Sequence, residues 1–440
     1  MQNKYIIHII VANILWSLIP VFVTGLFDEY SIFMIIFLRF FVSGVFLLII
    51  GLIYIILNNR TISNPEFKIE LKKLFKFTLR KNEKFFDMKY IYYFAFLGFF
   101  GIVLQIIGYF LALKTTSIAF TMIGFPLSIV LVAFYEHGVK AEKLDFFKVL
   151  YLMILIFSIA IIIFVKTGQK GSSSVGFSGF FYVLLFTGCV TFLHIGMTRE
   201  SYSKGEIKFV NKNTNYKIVR MIIKLSLIFF MGIGLLFPFL IIVYLLPIEG
   251  ALRTESIKFF EEFNIIFAIT LRWEVLFLIF FSTVIPYLLI FIARVNWSPY
   301  NLTYSQWGSI VTIIEPIGGI LFGVLIVNES FPIEFLIIII FLLTISILLR
   351  YAHETNNKVN AIILLNKKQG LLPNLALELL KIEGICCVDS LLGTHDLMLN
   401  VKTNSIKDIY YIINTEIKKF EGIEDIEILF IEKINKLTQN

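Results

Sequence analysis

Two full charges stand inside otherwise apolar stretches of this chain: Arg39, within the run Ile32–Ile50, and Glu315, within the run Ile313–Ile326. A charge at membrane depth is costly unless it is paired or faces water, so such residues read as functional by default. A guanidinium can hold a carboxylate, and a carboxylate can hold an amine or a proton. The two can also serve each other as a buried pair. Weaker polar groups accompany them. Asn13, Trp16, Ser17, Pro20 and Thr24 share one side of the first apolar run. Gly98, Gly101, Gln105 and Tyr109 recur at i, i+3, i+7 and i+11 in the third. Ser282, Thr283 and Pro286 lie within the eighth, and Gly308, Thr312, Glu315, Gly319 and Gly323 align in the ninth. The candidate substrate-binding set is Asn13, Trp16, Arg39, Gln105, Tyr109, Thr312 and Glu315. Plainer roles stand beside each: glycines at helical spacing pack helices together, Thr312 can bond its own backbone, and Asn13 and Gln105 can bridge helices. His194, Tyr304 and Trp307 read as interfacial residues.

Positioning these groups requires helices that cross a bilayer. Apolar runs of spanning length lie near 5–26, 31–57, 89–113, 116–136, 146–166, 176–197, 219–247, 274–294, 303–327 and 332–351, ten in all. The 440 residues are 58% hydrophobic and only 16% charged, against roughly 25% charged in soluble domains. A water-soluble fold could not cover that much apolar surface. Lys and Arg concentrate after the second run (Arg60, Lys68, Lys72, Lys73, Lys76, Arg80, Lys81, Lys84) and after the sixth (Arg199, Lys204, Lys208, Lys212, Lys217). With Lys140 and Lys143 they fall on one side of a ten-helix arrangement. The other side holds only scattered Lys114, Lys166, Lys170, Arg253, Lys258 and Arg272, plus a long acidic loop at 248–273. Basic loops stay cytoplasmic, so the expectation is a multi-pass cell-membrane protein with both termini in the cytoplasm. The net charge of +8 belongs to those loops, and no nucleic-acid partner is expected.

From about Asn357 the pattern changes. Val359–Leu365, Ile385–Leu391, Asp396–Val401 and Ile423–Ile431 read as strands. Leu371–Lys381 has helical spacing, and Ile406–Phe420 carries a stripe of Ile406, Ile409, Tyr410, Ile413 and Ile417. The order β-α-β-β-α-β is that of a ferredoxin-like α+β domain. The expected fold is therefore an all-α polytopic membrane protein of ten helices with a C-terminal α+β domain. The division is 1–166, the first five helices; 167–352, the second five; and 357–440, a cytosolic domain.

Cys189, Cys386 and Cys387 form no framework of spaced pairs, so no oxidising compartment is implied. The first apolar run lacks a small-residue cleavage site behind it and reads as a retained helix. HExxH, nucleophile-elbow and GxxxxGK[ST] patterns are absent. The chain reads as neither enzyme nor ATP-driven pump, and no cofactor or metal is called for.

Three stretches in order resemble the EamA branch of the drug/metabolite transporter superfamily: ANILWSLIPVF (12–22), FLRFF (37–41) and IIEPIGGILFGVLIVNES (313–330). The resemblance covers about residues 5–351. It implies ten helices as two five-helix repeats of inverted topology. FPLSIVLVAFYE (125–136) then corresponds to EPIGGILFGVLIVNE (315–329), but with Phe125 in place of the glutamate and with Glu136 ten residues after its proline rather than thirteen. The long basic insertion at 58–88 also departs from the family. The stretch at 390–427 resembles the ligand-binding domain of Lrp/AsnC regulators, with GTHD (393–396) as its turn motif. That resemblance implies paired domains that bind amino acids, with Gly393, His395 and Asp396 as candidate effector-binding residues and a homodimer through the tail. The function these likenesses imply is a secondary transporter exporting amino acids or related small metabolites by alternating access, with a tail that senses amino acids or dimerises. The alternative is a non-transporting receptor or scaffold that signals through the tail.

Overall fold

The computed structural model describes residues 4–62, 68–74, 82–83, 88–140, 146–168, 176–197, 213–245, 250–297, 302, 304–356, 359–367, 372–403, 406–420 and 422–431. Most of the basic loop residues lie outside these, as does the side chain of Glu136. Among the described residues ten helical segments are long and apolar enough to cross a membrane. They are Ile6–Thr24, Ile32–Thr61, Ile91–Thr115, Ile118–Tyr135, Phe146–Gly168, Phe177–Ile195, Asn215–Leu245, Trp273–Val295, Tyr304–Leu325 and Ile333–Thr355, called spans 1 to 10 here.

Span 2 packs along span 7, span 5 along span 10, span 1 against spans 8 and 9, and span 6 against spans 3 and 4. Small residues let backbones approach where apolar surface gives no preference for helix over lipid. A Cβ added at Gly98 would stand 2.3 Å from the Ile228 carbonyl oxygen and 2.8 Å from the Gly232 nitrogen. Gly98 and Gly232 thus fix the contact of spans 3 and 7, and Gly98 has a packing role. Gly101, Gly319 and Gly323 face the side chains of Leu193, Met122 and Ile118 in the same way, while Gly308 faces open space.

Several spans are irregular. Span 1 breaks at Leu18, between Ile6–Ser17 and Ile19–Thr24, because Pro20 suits a first helical turn and not an interior. Span 4 opens with Ile118–Thr121 and restarts at Gly124; span 9 runs Tyr304–Val311 and restarts at Ile314. Span 3 carries a π-helical stretch at Leu97–Val103 and span 8 another at Phe280–Val284. Such stretches displace the side-chain register and gather at functional sites.

The acidic loop expected at 248–273 is largely helical. Ala251–Glu261, Glu262–Ile265 and Ile266–Thr270 form a continuous irregular helix lying against spans 2 and 7. Its polar exterior conceals an inward face of Phe259 and Ile269, both fully buried.

The tail folds as β-α-β-β-α-β over Val359–Lys367, Leu372–Leu379, Ile385–Ser390, Leu397–Thr403, Ile406–Tyr411 and Ile423–Ile431. Counted along the tail, its four strands lie in the order second, third, first, fourth, and every neighbouring pair is antiparallel. Ala361, Ile363, Leu365, Leu397, Leu399 and Val401 point into a core of their own with Ile409, Ile413 and Ile417. The expected stripe is corrected here. Ile406 and Tyr410 are exposed and Ile412 is buried, so the inward face is Ile409, Ile412, Ile413 and Ile417, at helical spacing i, i+3, i+4 and i+8.

Candidate functional site

The centre of the site is one backbone carbonyl. Pro286 has no N–H, so the Ser282 carbonyl four residues earlier lacks its usual helical donor. Two side chains from the first half of the chain supply donors instead: Trp16 Nε1 at 3.1 Å and Arg39 Nη2 at 3.2 Å. Arg39 Nε also donates to Thr283 Oγ1 at 2.9 Å, and that hydroxyl donates to the Leu278 carbonyl. Spans 1, 2 and 8 are thereby tied at one level. Tyr287, one turn beyond Thr283, stands edge-on to Trp16 with ring centroids 5.6 Å apart.

Glu315 begins the second half of broken span 9, in the first turn of Ile314–Leu325, where the exposed N–H groups of a helix start favour negative charge. Its side chain is buried, and Arg39, Tyr109 and Tyr287 all lie within its electrostatic range. Among the described residues Arg39 forms no ion pair with Glu315 or any other carboxylate. Arg39 Nη1, Tyr109 Oη and Asn13 Oδ1 are buried without hydrogen-bond partners. Buried polar atoms are nearly always satisfied, so such a group of exceptions calls for a ligand or water. A cation, an anion and unused donors and acceptors are together suited to a molecule carrying both carboxylate and amine.

Of the sequence candidates, Trp16, Arg39, Tyr109 and Glu315 are brought together. Asn13 donates to the Ile9 carbonyl at 2.8 Å and Thr312 to the Gly308 carbonyl at 2.7 Å, each within its own helix. Gln105 is half-buried on span 3. Phe125, standing where the inverted correspondence expects a glutamate, packs on Tyr109 and Phe186. Sequence reasoning missed Tyr287, whose signal was its spacing of four from Thr283.

It also missed a second polar layer, at the face carrying the loops after spans 1, 3, 5, 7 and 9. Lys166 Nζ meets Glu329 Oε1 at 2.6 Å, with the lysine side chain 1% exposed. The same carboxylate accepts from the Ala119 N–H at the start of span 4. Lys114 Nζ meets Glu255 Oε1 at 2.6 Å, and Glu255 Oε2 accepts from the Ile32 N–H at the start of span 2. Both Glu262 oxygens accept from the Ser31 N–H at 2.9 Å. Burial raises the Glu262 carboxyl above its ordinary range, against the opposing pull of the Ser31 N–H and Lys258. Helix starts thus receive carboxylates from distant segments, a latch that ties the span ends together at this face.

In the tail, Gly393, His395 and Asp396 occupy the turn before strand Leu397–Thr403. His395 Nε2 lies 3.3 Å from Glu427 Oε2, and the Asp396 N–H donates to the Leu365 carbonyl. Gly393 has no neighbour that a Cβ would strike. A cavity of about 390 Å³ lies at the opposite strand ends, against Asn360, Cys387, Asn400 and Lys402.

These positions can be set beside known proteins. Residues 3–164 match the model of the EamA-like transporter family. That EamA-like part is the first five spans and contributes Asn13, Trp16, Arg39, Gln105 and Tyr109; Glu315 and Ser282 lie beyond it. No curated protein matches the chain. A solved structure titled "Crystal structure of protein" aligns with 80% of this chain and 98% of its own length, at 13% identity and a TM-score of 0.44, too loose a likeness to define the fold.

Proposed function

We propose that the chain is a secondary transporter that exports amino acids or related small metabolites by alternating access. One observation carries the reading: Arg39 and Glu315 are buried together without pairing, and Arg39 Nη1 and Tyr109 Oη are left unused. Arg39 receives the carboxylate of the substrate. Glu315 receives its amine or a proton. Trp16 and Tyr287 wall the site, and Asn13, Gln105 and Thr312 supply further hydrogen bonds.

Spans 1–5 and 6–10 act as inverted repeats in this reading. Span 1 packs on spans 8 and 9 as span 6 packs on spans 3 and 4. Spans 3 and 8 both carry π-helical stretches, and spans 4 and 9 are both broken near their starts. Repeats of this kind place the substrate at their interface and rock about it. The latched face is the non-cytoplasmic one, with both termini in the cytoplasm. The tail is a ferredoxin-like domain of the Lrp/AsnC kind that senses amino acids or pairs two copies of the chain. Its strand order supports the first half of that statement, and the half-buried Ile362, Leu364 and Met398 on its uncovered face support the second.

Calorimetric titration of the purified full chain with each of the twenty amino acids tests the substrate class. Saturable binding of at least one, lost in Arg39→Gln, is the expected result. Wild-type protein that binds none of them overturns it.

A further inference from the structure

A second arginine is buried with two of its nitrogens unbonded, outside the site above. Arg350, near the end of span 10, is 8% exposed, and its Nε and Nη1 have no hydrogen-bond partner. Among the described residues no carboxylate pairs with it. The nearest acid along its helix, Glu354, is engaged by Gln306 Nε2 at 2.9 Å. The guanidinium lies over the Tyr151 ring, 5.6 Å from its centroid, which orients the fork without neutralising it. Further basic groups lie about the same ring and the arginine. Lys148, one turn before Tyr151 on the same face of span 5, is 1% exposed. The His353 ring lies tilted 6.1 Å from that of Tyr151, and His194 of span 6 is within electrostatic range of Arg350.

A buried guanidinium among bases is strongly unfavourable alone and becomes favourable with an anion that accepts from two of its nitrogens. The depth is that of headgroups. Tyr351, the next residue, is 42% exposed and contacts Trp307, an aromatic pair of the kind that marks a membrane interface. Basic pockets between spans at this level hold phosphate groups of lipids.

We propose that Arg350, with Lys148, Tyr151 and His194, forms a phosphate-binding site between spans 5, 6 and 10, filled by the phosphate of a lipid headgroup or by free phosphate. The site is separate from the Arg39–Glu315 centre and stands whether or not that centre transports.

Thermal unfolding of the full chain tests this in three media: phosphatidylcholine–detergent micelles with sodium chloride, the same with sodium phosphate, and micelles containing phosphatidylglycerol. A rise of a few degrees with phosphatidylglycerol alone identifies a lipid headgroup; a rise with inorganic phosphate as well identifies a water-borne anion. Arg350→Gln loses the rise, and Lys72→Gln, which removes an exposed charge, keeps it. No rise in the wild type, or an undiminished rise in Arg350→Gln, overturns the proposal. Should Arg350→Gln fail to fold, native mass spectrometry of the wild type decides. Retention of phosphatidylglycerol or phosphate over phosphatidylcholine and chloride supports the site, and no preference overturns it.

Discussion

Arg39 is held by one hydroxyl and one carbonyl, and neither neutralises it. Its charge is available to a ligand in a way that a salt-bridged arginine's is not. Hydrogen bonds to a charged group contribute about 1.5–3 kcal/mol, so Arg39→Gln should weaken substrate binding roughly 10- to 100-fold. Arg39→Lys keeps the charge but loses the fork that spans Ser282 and Thr283, and should recover only part of it. Equal affinity in all three proteins, by calorimetry, would remove Arg39 from the site. The burial of Arg39 and Glu315 was legible in the sequence because each charge lies within a long apolar run. The carbonyl of Ser282 was not legible as a centre, since the two donors that meet it come from spans 1 and 2. Asn13 and Thr312 each spend a donor on a carbonyl of their own helix, a local bond that sequence spacing does not reveal and that leaves each with acceptor capacity.

At the scale of elements, all ten spans could be counted from apolar length, and their ends fall within a few residues of the apolar runs. What apolar length does not reveal is how the ends are tied. Lys114 and Lys166 looked like stray loop charges, yet each closes a link between a span end and a distant carboxylate. Removing one partner of a buried pair typically costs about 3–5 kcal/mol. Glu329→Gln should therefore lower the unfolding temperature markedly, because it strips both Lys166 and the start of span 4. The double substitution Lys166→Met with Glu329→Leu should recover part of the loss. A double-mutant cycle showing no coupling would mean that the latch contributes nothing. The spans 3 and 7 contact makes a harder prediction. Gly98→Leu drives a side chain into backbone at 2.3 Å, so the variant should fail to accumulate as folded protein in the membrane. Normal accumulation would contradict the close approach.

At the scale of the molecule, the tail has its own core and its own sheet, and the order of its strands and helices along the chain was legible from alternation and helical spacing. The inward face of its second helix was legible only in part, because Ile406 and Tyr410 are apolar yet exposed. A chain ending at Asn356 should insert and fold, since it keeps span 10 with the Gln306–Glu354 bond. It should lose any dependence of flux on cytosolic amino acid, or lose dimerisation. Identical flux, regulation and oligomeric state after truncation would leave the tail without a part in transport.

The central claim is that this chain moves small zwitterions through a site containing Glu315. The most direct measurement is exchange of labelled amino acids by purified protein in sealed liposomes, with wild type and Glu315→Gln compared at equal folded content. The account predicts saturable exchange of at least one amino acid by the wild type and loss of at least nine-tenths of it in the variant, on the order of 1.4 kcal/mol or more. Undiminished exchange in Glu315→Gln, or no exchange by the wild type for any amino acid, would contradict it.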